Sequence, residues 1–266
     1  MFCQKCGKSP SYVGDNPCHL RTPPKNHALL HAPGQIIDDR FLVVDLLYNS
    51  ETVQVVKAFD QAEIQMVIIK FALSESAIEE LKCEAFYLSK LLPVKIQVPK
   101  IICLSLSAVE SKLGGKTSSY IALSPVGTSV AQLEVLARES GHSLSETCRI
   151  KWKEQLSHIL KQIHQANILH RDIKPSNLII SENQLFLIDF ADATSLSNPS
   201  TYKAGTLPYM SLAALQNKPA TVKDDWISLE YTMMALEMGI HTFEKLTKRP
   251  ELGISPKCSK QFSNQE

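Results

Sequence analysis

His170-Arg171-Asp172-Ile173-Lys174-Pro175-Ser176-Asn177 decides how this sequence is read, together with Asp189-Phe190-Ala191 a short way on. In the first stretch an Asp, a Lys and an Asn stand at i, i+2 and i+5, in a loop punctuated by Pro175. Before the second stretch, Gln184-Leu185-Phe186-Leu187-Ile188 is an apolar run that predicts a short buried strand delivering the Asp189 carboxylate at its end. The residue types suit phosphoryl transfer. One carboxylate can accept the proton of an attacking hydroxyl, and a Lys can offset charge on the moving group. An Asn and a second carboxylate can hold Mg²⁺.

An isolated Asp or Asn in a loop is usually a turn residue. A continuous block carrying His170, Arg171, Asp172, Lys174, Pro175 and Asn177, followed by Asp-Phe after a strand, is not explained by turn chemistry. The block resembles the catalytic loop H-R-D-x-K-P-x-N of the protein kinases, and Asp189-Phe190-Ala191 their D-F-G metal motif. Lys174, two residues after Asp172, is the form of the serine/threonine branch. The resemblance implies an α+β fold of two lobes: a small antiparallel sheet with one helix, and a mainly helical second lobe. It also implies ATP and Mg²⁺ as cofactors and a protein as substrate. Asp172 and Lys174 would be catalytic, and Asn177 and Asp189 would hold the metal.

Working outward, Phe41–Leu47, Thr52–Phe59 and Ile64–Phe71 are rich in Val, Ile and Leu and predict an antiparallel meander. Lys70 ends the third strand, where a cation makes sense if it meets phosphate oxygens and a carboxylate. Glu84, on a helix expected over Ser76–Leu91, is the chosen partner, with Phe86 and Leu88 expected to face inward. Two strands should follow, Val98–Ser105 and Ser119–Leu123, with Gly114-Gly115 as the turn between them. The resemblance makes Ser124-Pro125-Val126-Gly127 the hinge. The Ser124 carbonyl and Val126 amide would hold adenine, with Val55 and Ile68 lining its slot and Leu123 behind it. Leu144–Asn167 has Ile150, Leu156, Ile159, Leu160 and Ile163 at helical spacing and should support the catalytic loop.

Beyond Asp189 the chain resembles an activation segment, with Thr194, Ser195, Ser197, Ser200, Thr201 and Tyr202 as hydroxyls that a phosphate could modify and Arg171 as a cation to pair with it. Gly205-Thr206-Leu207-Pro208-Tyr209 matches the family's G-T-x-x-Y anchor and would bring Thr206 near Asp172 and Lys174. Asp225-Trp226-Ile227-Ser228-Leu229 resembles the start of the buried helix whose Asp caps catalytic-loop amides, and Tyr231–Met238 continues it.

The chain departs from the family in three places. Tyr48, Ser50 and Val53 stand where three glycines would let the phosphate loop lie close to the nucleotide, which should weaken ATP binding. Ile68 replaces a small Ala and narrows the adenine slot. Ser211-Leu212-Ala213 replaces A-P-E, so the Glu of a buried ion pair is missing. With 27 residues after Gly239, the second lobe should be short. These changes support an alternative, a pseudokinase acting as a nucleotide-regulated binding or scaffold module. A small-molecule kinase is a third reading, disfavoured by Lys174-Pro175 and the Gly-Thr anchor.

The totals set the outer bounds. The 266 residues carry 28 basic and 27 acidic side chains, for a net charge of +1, so no bulk charge draws the chain to nucleic acid or an anionic membrane. No apolar run approaches the roughly 18–20 residues a bilayer span needs. The start, Met1-Phe2-Cys3-Gln4-Lys5-Cys6-Gly7, has no apolar signal core. Seven Cys, an odd number, suggest thiols or a metal site rather than disulfides, and a cytoplasmic location.

Residues 1–34 read as a Cys- and Pro-rich head, where Cys3-x-x-Cys6-Gly7 has the form of a zinc knuckle and Cys18 is the favoured third ligand. The expected organisation is therefore head 1–34, first lobe 35–123, second lobe 124–240 and polar tail 241–266. The head and tail leave room for a regulatory protein partner.

Overall fold

The computed structural model describes residues 30–106, 119–200 and 204–247. The zinc-knuckle cysteines and the Gly114-Gly115 turn lie outside them. The chain divides into two compact units, Met1–Ser89 with Pro99–Val126, and Lys90–Val98 with Gly127–Glu266.

The first unit is a six-stranded antiparallel sheet with one helix. Its strands are β1 (Ile36–Ile37), β2 (Phe41–Asn49), β3 (Val53–Asp60), β4 (Gln65–Ala72), β5 (Lys100–Ser105) and β6 (Tyr120–Ser124), and helix α1 is Glu75–Leu91. The strand order is β1-β2-β3-β4-β6-β5. Strict alternation of burial along β3 puts Gln54, Val56, Ala58 and Asp60 on the packed face and Val53, Val55 and Lys57 on the other. β4 alternates likewise, sending Val67 and Ile69 into the core while Ile68 and Lys70 share the opposite face. Register shifts between Val43 and Asp45, and between Leu46 and Tyr48, break the β2–β3 ladder and increase its curl.

The core of this sheet is Phe41, Val43, Val56, Val67, Ile69 and Phe71, with Tyr120 set edge-on to Phe41. Residues 31–35 form a strap on the sheet. The His31 amide donates to Gln54 Oε1 at 3.0 Å, Gly34 N to Val43 O at 2.9 Å and Val43 N to Gln35 O at 2.8 Å. The His31 ring lies 4.2 Å from Phe71.

Helix α1 buries Ala77, Leu81, Glu84, Ala85, Leu88 and Leu91, a single stripe at helical spacing. One expectation fails here: Leu88 does face inward, but Phe86 is 53% exposed. Two residues of helix turn a side chain by about 200°, so Phe86 cannot share the stripe of Glu84 and Leu88.

The second unit is mainly helical. It contains β7 (Thr128–Ser129), α2 (Val130–Glu139), α3 (Glu146–Gln165), β8 (Ile168–Leu169), β9 (Leu178–Ser181), β10 (Gln184–Leu187), β11 (Thr194–Ser195), α4 (Leu212–Leu215), α5 (Val222–Met238) and α6 (Ile240–Thr247). Helix α3 starts at the Ser145 cap, whose side chain accepts from Cys148 N, and buries Trp152, Leu156, Ile159, Leu160 and Ile163. Ile150 was expected in that row but is 53% exposed. Trp152 takes the buried place.

Two short ladders hold the ends of the loop between β8 and β9. Leu169 pairs with Thr194 and Ile168 with Ser195, while Leu178 pairs with Leu187 across the β9–β10 hairpin. The hairpin turns on Glu182 and Asn183, both at positive φ, which suits a two-residue turn. The tail expected to be polar from residue 241 begins instead inside α6, whose Phe243 is buried and stacks 5.7 Å from Tyr209. No helix among the described residues is long and apolar enough to cross a membrane.

Candidate active site

In the first unit, Lys70 and Glu84 meet. Lys70 Nζ donates to Glu84 Oε1 at 3.0 Å and Oε2 at 2.8 Å. The Glu84 carboxylate is 1% exposed and the Lys70 side chain 17%. A carboxylate this buried is stable as a charge only with such a partner. The β-ladders place the other first-unit candidates around Lys70. Val55 pairs directly with it, Ile68 stands on its face two residues back, and Leu123 pairs with Ile68 from β6. Ser124 ends β6, with its hydroxyl 3.4 Å from Gln65 Oε1, and Val126 follows two residues later.

In the second unit the residues of the 170–177 loop form one hydrogen-bonded cluster with Thr206. Lys174 Nζ donates to Asp172 Oδ2 at 2.6 Å and to Thr206 Oγ1 at 2.7 Å. Thr206 in turn donates to Asp172 Oδ1 at 2.8 Å. Asn177 Nδ2 donates to the Asp172 carbonyl at 2.9 Å and to Oδ2 at 3.0 Å. Asp172 and Asn177 are buried. The Pro175–Asn177 stretch is a single 3₁₀ turn with Pro175 at its start, which is what brings Asn177 back beneath Asp172.

Asp189 is placed by its neighbours. Ile188 N donates to Asn177 O at 2.9 Å, and the Ile188 carbonyl lies 3.1 Å from His170 Nε2. Phe190 is fully buried, edge-on to the His170 ring at 4.7 Å. Asp189 itself has φ +70, a left-handed conformation that Asp tolerates better than most residues. Asp189 thus follows Ile188, the first residue past β10, whose amide is fixed against Asn177, and Asn177 and Asp189 share one end of the β9–β10 hairpin.

The loop is hung from α5. Asp225, 1% exposed, accepts His170 N at 3.0 Å and Arg171 N at 2.8 Å. His164 Nε2, from α3, lies 2.8 Å from the same carboxylate. Sequence reading singled out Asp225 but not His164, whose signal was its place six residues before His170 on the expected supporting helix. It also missed Asp192. Arg171 Nε donates to the Asp192 carbonyl at 2.8 Å, and burial, with the Asp172 charge adding to it, pushes the Asp192 carboxyl above the ordinary carboxylate range.

The oxygens available for a metal are hard ones. With Asn177 Nδ2 turned to Asp172, the amide presents its carbonyl oxygen elsewhere, and Asp189 supplies a carboxylate. Mg²⁺ usually takes one or two such protein ligands and completes its shell with water and phosphate oxygens. Among the described residues there is no group of three or more His, Cys, Asp or Glu that could hold a metal. Cys3, Cys6 and Cys18 lie outside the described residues.

The family profile of the protein kinase domain matches residues 49–261. Over that span, most of the chain, the protein belongs to the protein kinase domain family. It is similar to serine/threonine-protein kinase Nek5 of Mus musculus, 36% identical over 117 residues, which are 42% of this chain and 19% of that protein. It is similar to the MAP kinase kinase MKK1/SSP32 of Saccharomyces cerevisiae, 32% identical over 126 residues, 46% of this chain and 25% of that one. A longer match, 23% identical over 236 residues, covers 84% of this chain and 46% of a probable serine/threonine-protein kinase of Dictyostelium discoideum. The chain thus spans less than half the length of each of these relatives.

Proposed function

We propose that the chain is an active protein kinase that moves the γ-phosphoryl group of ATP to a Ser or Thr hydroxyl of a protein. The observation that carries this reading is the closed cluster of Asp172, Lys174, Asn177 and Thr206. A scaffold also needs its buried carboxylates satisfied, but it has no need of this combination of carboxylate, Lys, amide and hydroxyl, which is the set that phosphoryl transfer requires.

Asp172 orients the incoming hydroxyl and accepts its proton. Lys174, held between Asp172 and Thr206, offsets negative charge on the group in transfer. Asn177 and Asp189 are the residues that would hold Mg²⁺, which when bound neutralises phosphate oxygens. Lys70 would hold the α- and β-phosphates, with Glu84 fixing its direction. Ser124 and Val126 would take the adenine edge, between Val55 and Ile68. The thiols Cys103 and Cys148 fit a reducing compartment, and we place the protein in the cytoplasm.

The test is transfer of label from γ-labelled ATP to a generic basic protein by wild type, Asp172→Ala and Asp189→Asn. Labelling by wild type that both substitutions abolish supports the proposal, and equal labelling by all three sinks it. The second reading, a nucleotide-regulated scaffold, is favoured by the absence of glycine at 48, 50 and 53. It predicts a rise in melting temperature with Mg-ATP and no labelling.

A further inference from the structure

The turn between β2 and β3 is closed by one hydroxyl. Ser50 Oγ accepts Thr52 N at 3.3 Å and Val53 N at 3.0 Å. It also lies 3.0 Å from Val53 O as a donor, and Ser50 N donates to that carbonyl at 2.9 Å. Three of the four backbone N–H groups of residues 50–53 are therefore donated inside the turn.

The position of this turn matters. Val55 pairs with Lys70, Gln54 with Phe71 and Val53 with Ala72, so the turn lies beyond the second rung past the one that carries Lys70, on the same sheet. Successive backbone N–H groups in such a turn form a concavity that suits an anion. In this chain the concavity already contains an oxygen, the one on Ser50. The side chain makes the local hydrogen bonds that a phosphate oxygen would otherwise make.

We propose that Ser50 sets the nucleotide affinity of this chain: its hydroxyl occupies the Thr52 and Val53 amides of the phosphate loop, leaving the phosphates to Lys70 and to the metal that Asn177 and Asp189 would hold. This rests on the kinase reading and extends it. The weakness of the loop then comes from competition by a hydroxyl as well as from the bulk of Tyr48 and Val53. Lys70 carries three N–H donors and is already committed to both Glu84 oxygens. With the loop amides withdrawn, the wild type should favour Mg-ATP over adenosine less strongly than Ser50→Ala does.

The experiment is calorimetric titration of wild type, Ser50→Ala, Ser50→Gly and Ser50→Thr with Mg-ATP, Mg-ADP and adenosine, beside Lys70→Met with Mg-ATP. Ser50→Ala removes the hydroxyl and keeps the Cβ, so it should tighten Mg-ATP and Mg-ADP about tenfold and leave adenosine unchanged. Ser50→Gly should tighten them at least as much, whereas Ser50→Thr keeps a hydroxyl and should behave as wild type. If wild type binds Mg-ATP through Lys70 and Ser50→Ala binds it no better, this inference alone is overturned. If no variant binds any of the three ligands, it is overturned together with the kinase reading.

Discussion

Ser211 donates its hydroxyl to the Asp224 carboxylate, with both residues buried. Asp224 Oδ2 also accepts Thr221 N at 2.7 Å and Thr221 Oγ1 at 2.9 Å, and Ser211 Oγ accepts Ala214 N at 3.0 Å. Ser211 opens the Ser-Leu-Ala that stands where the family carries A-P-E. In place of a long-range ion pair, a local contact caps α4 and joins it to the first turn of α5. Replacing Ser211 by Ala leaves a buried carboxylate short of a donor and should cost about 1–3 kcal/mol in denaturant unfolding. Ser211→Thr should recover part of that loss.

Lys70 and Glu84 should show strong coupling. Lys70→Met strands a carboxylate that is 1% exposed, so it should destabilise the fold by about 3 kcal/mol. The double variant Lys70→Met/Glu84→Gln should be more stable than Lys70→Met alone. A double-mutant cycle by urea unfolding measures the difference, and additive losses would show that the pair contributes no mutual stabilisation.

Thr206 holds Asp172 both directly and through Lys174. Thr206→Val removes a donor to Oδ1 and an acceptor for Nζ while nearly keeping the shape. Loss of that orientation should lower kcat roughly tenfold to a hundredfold with the KM for ATP little changed. Thr206→Ser should restore most of the rate.

The strap at 31–35 should respond to mild acid. Burial against Phe71 holds the His31 imidazole below its ordinary value of 6.5, with the Asp38 charge opposing the shift in part. The docked pKa is thus lower than the undocked one. Above pH 6.5 both states are neutral and docking is complete. As pH falls below 6.5, the undocked strap takes up the proton first and docking is lost. Hydrogen exchange at Gly34 and Val43, corrected for intrinsic rate, should quicken between pH 7.5 and 5.5, and His31→Phe should abolish the change.

Much of this site could be read from the sequence because its chemistry is local. Asp172, Lys174 and Asn177 sit within six residues, so their spacing fixes their contact once Pro175 makes the turn. The meander was readable from the alternation in β3 and β4. That Lys70 needs a carboxylate follows from its near burial, while the choice of Glu84 over Glu79 and Glu80 rests on the resemblance of its position to the helix Glu of the family.

What escaped is set by rotation and by single atoms. Phe86 and Ile150 are apolar at near-helical spacing, yet an offset of about 200° from the buried stripe turned Phe86 outward, and composition does not register that angle. The Ser50 turn looked like a missing glycine, because a hydroxyl that serves as acceptor for its own backbone leaves no trace in spacing. Helix α6 was missed because its apolar set is only three residues, Ile240, Phe243 and Leu246, spaced among polar ones.

The Asp225 contacts tie the timing of two distant segments together. The amides of His170 and Arg171 end on a carboxylate carried by α5 and sealed from water. Exchange at them requires the loop and the start of that helix to part. Their isotope-labelling clocks should therefore run at the pace of the innermost turns of α5, far slower than those of an ordinary loop.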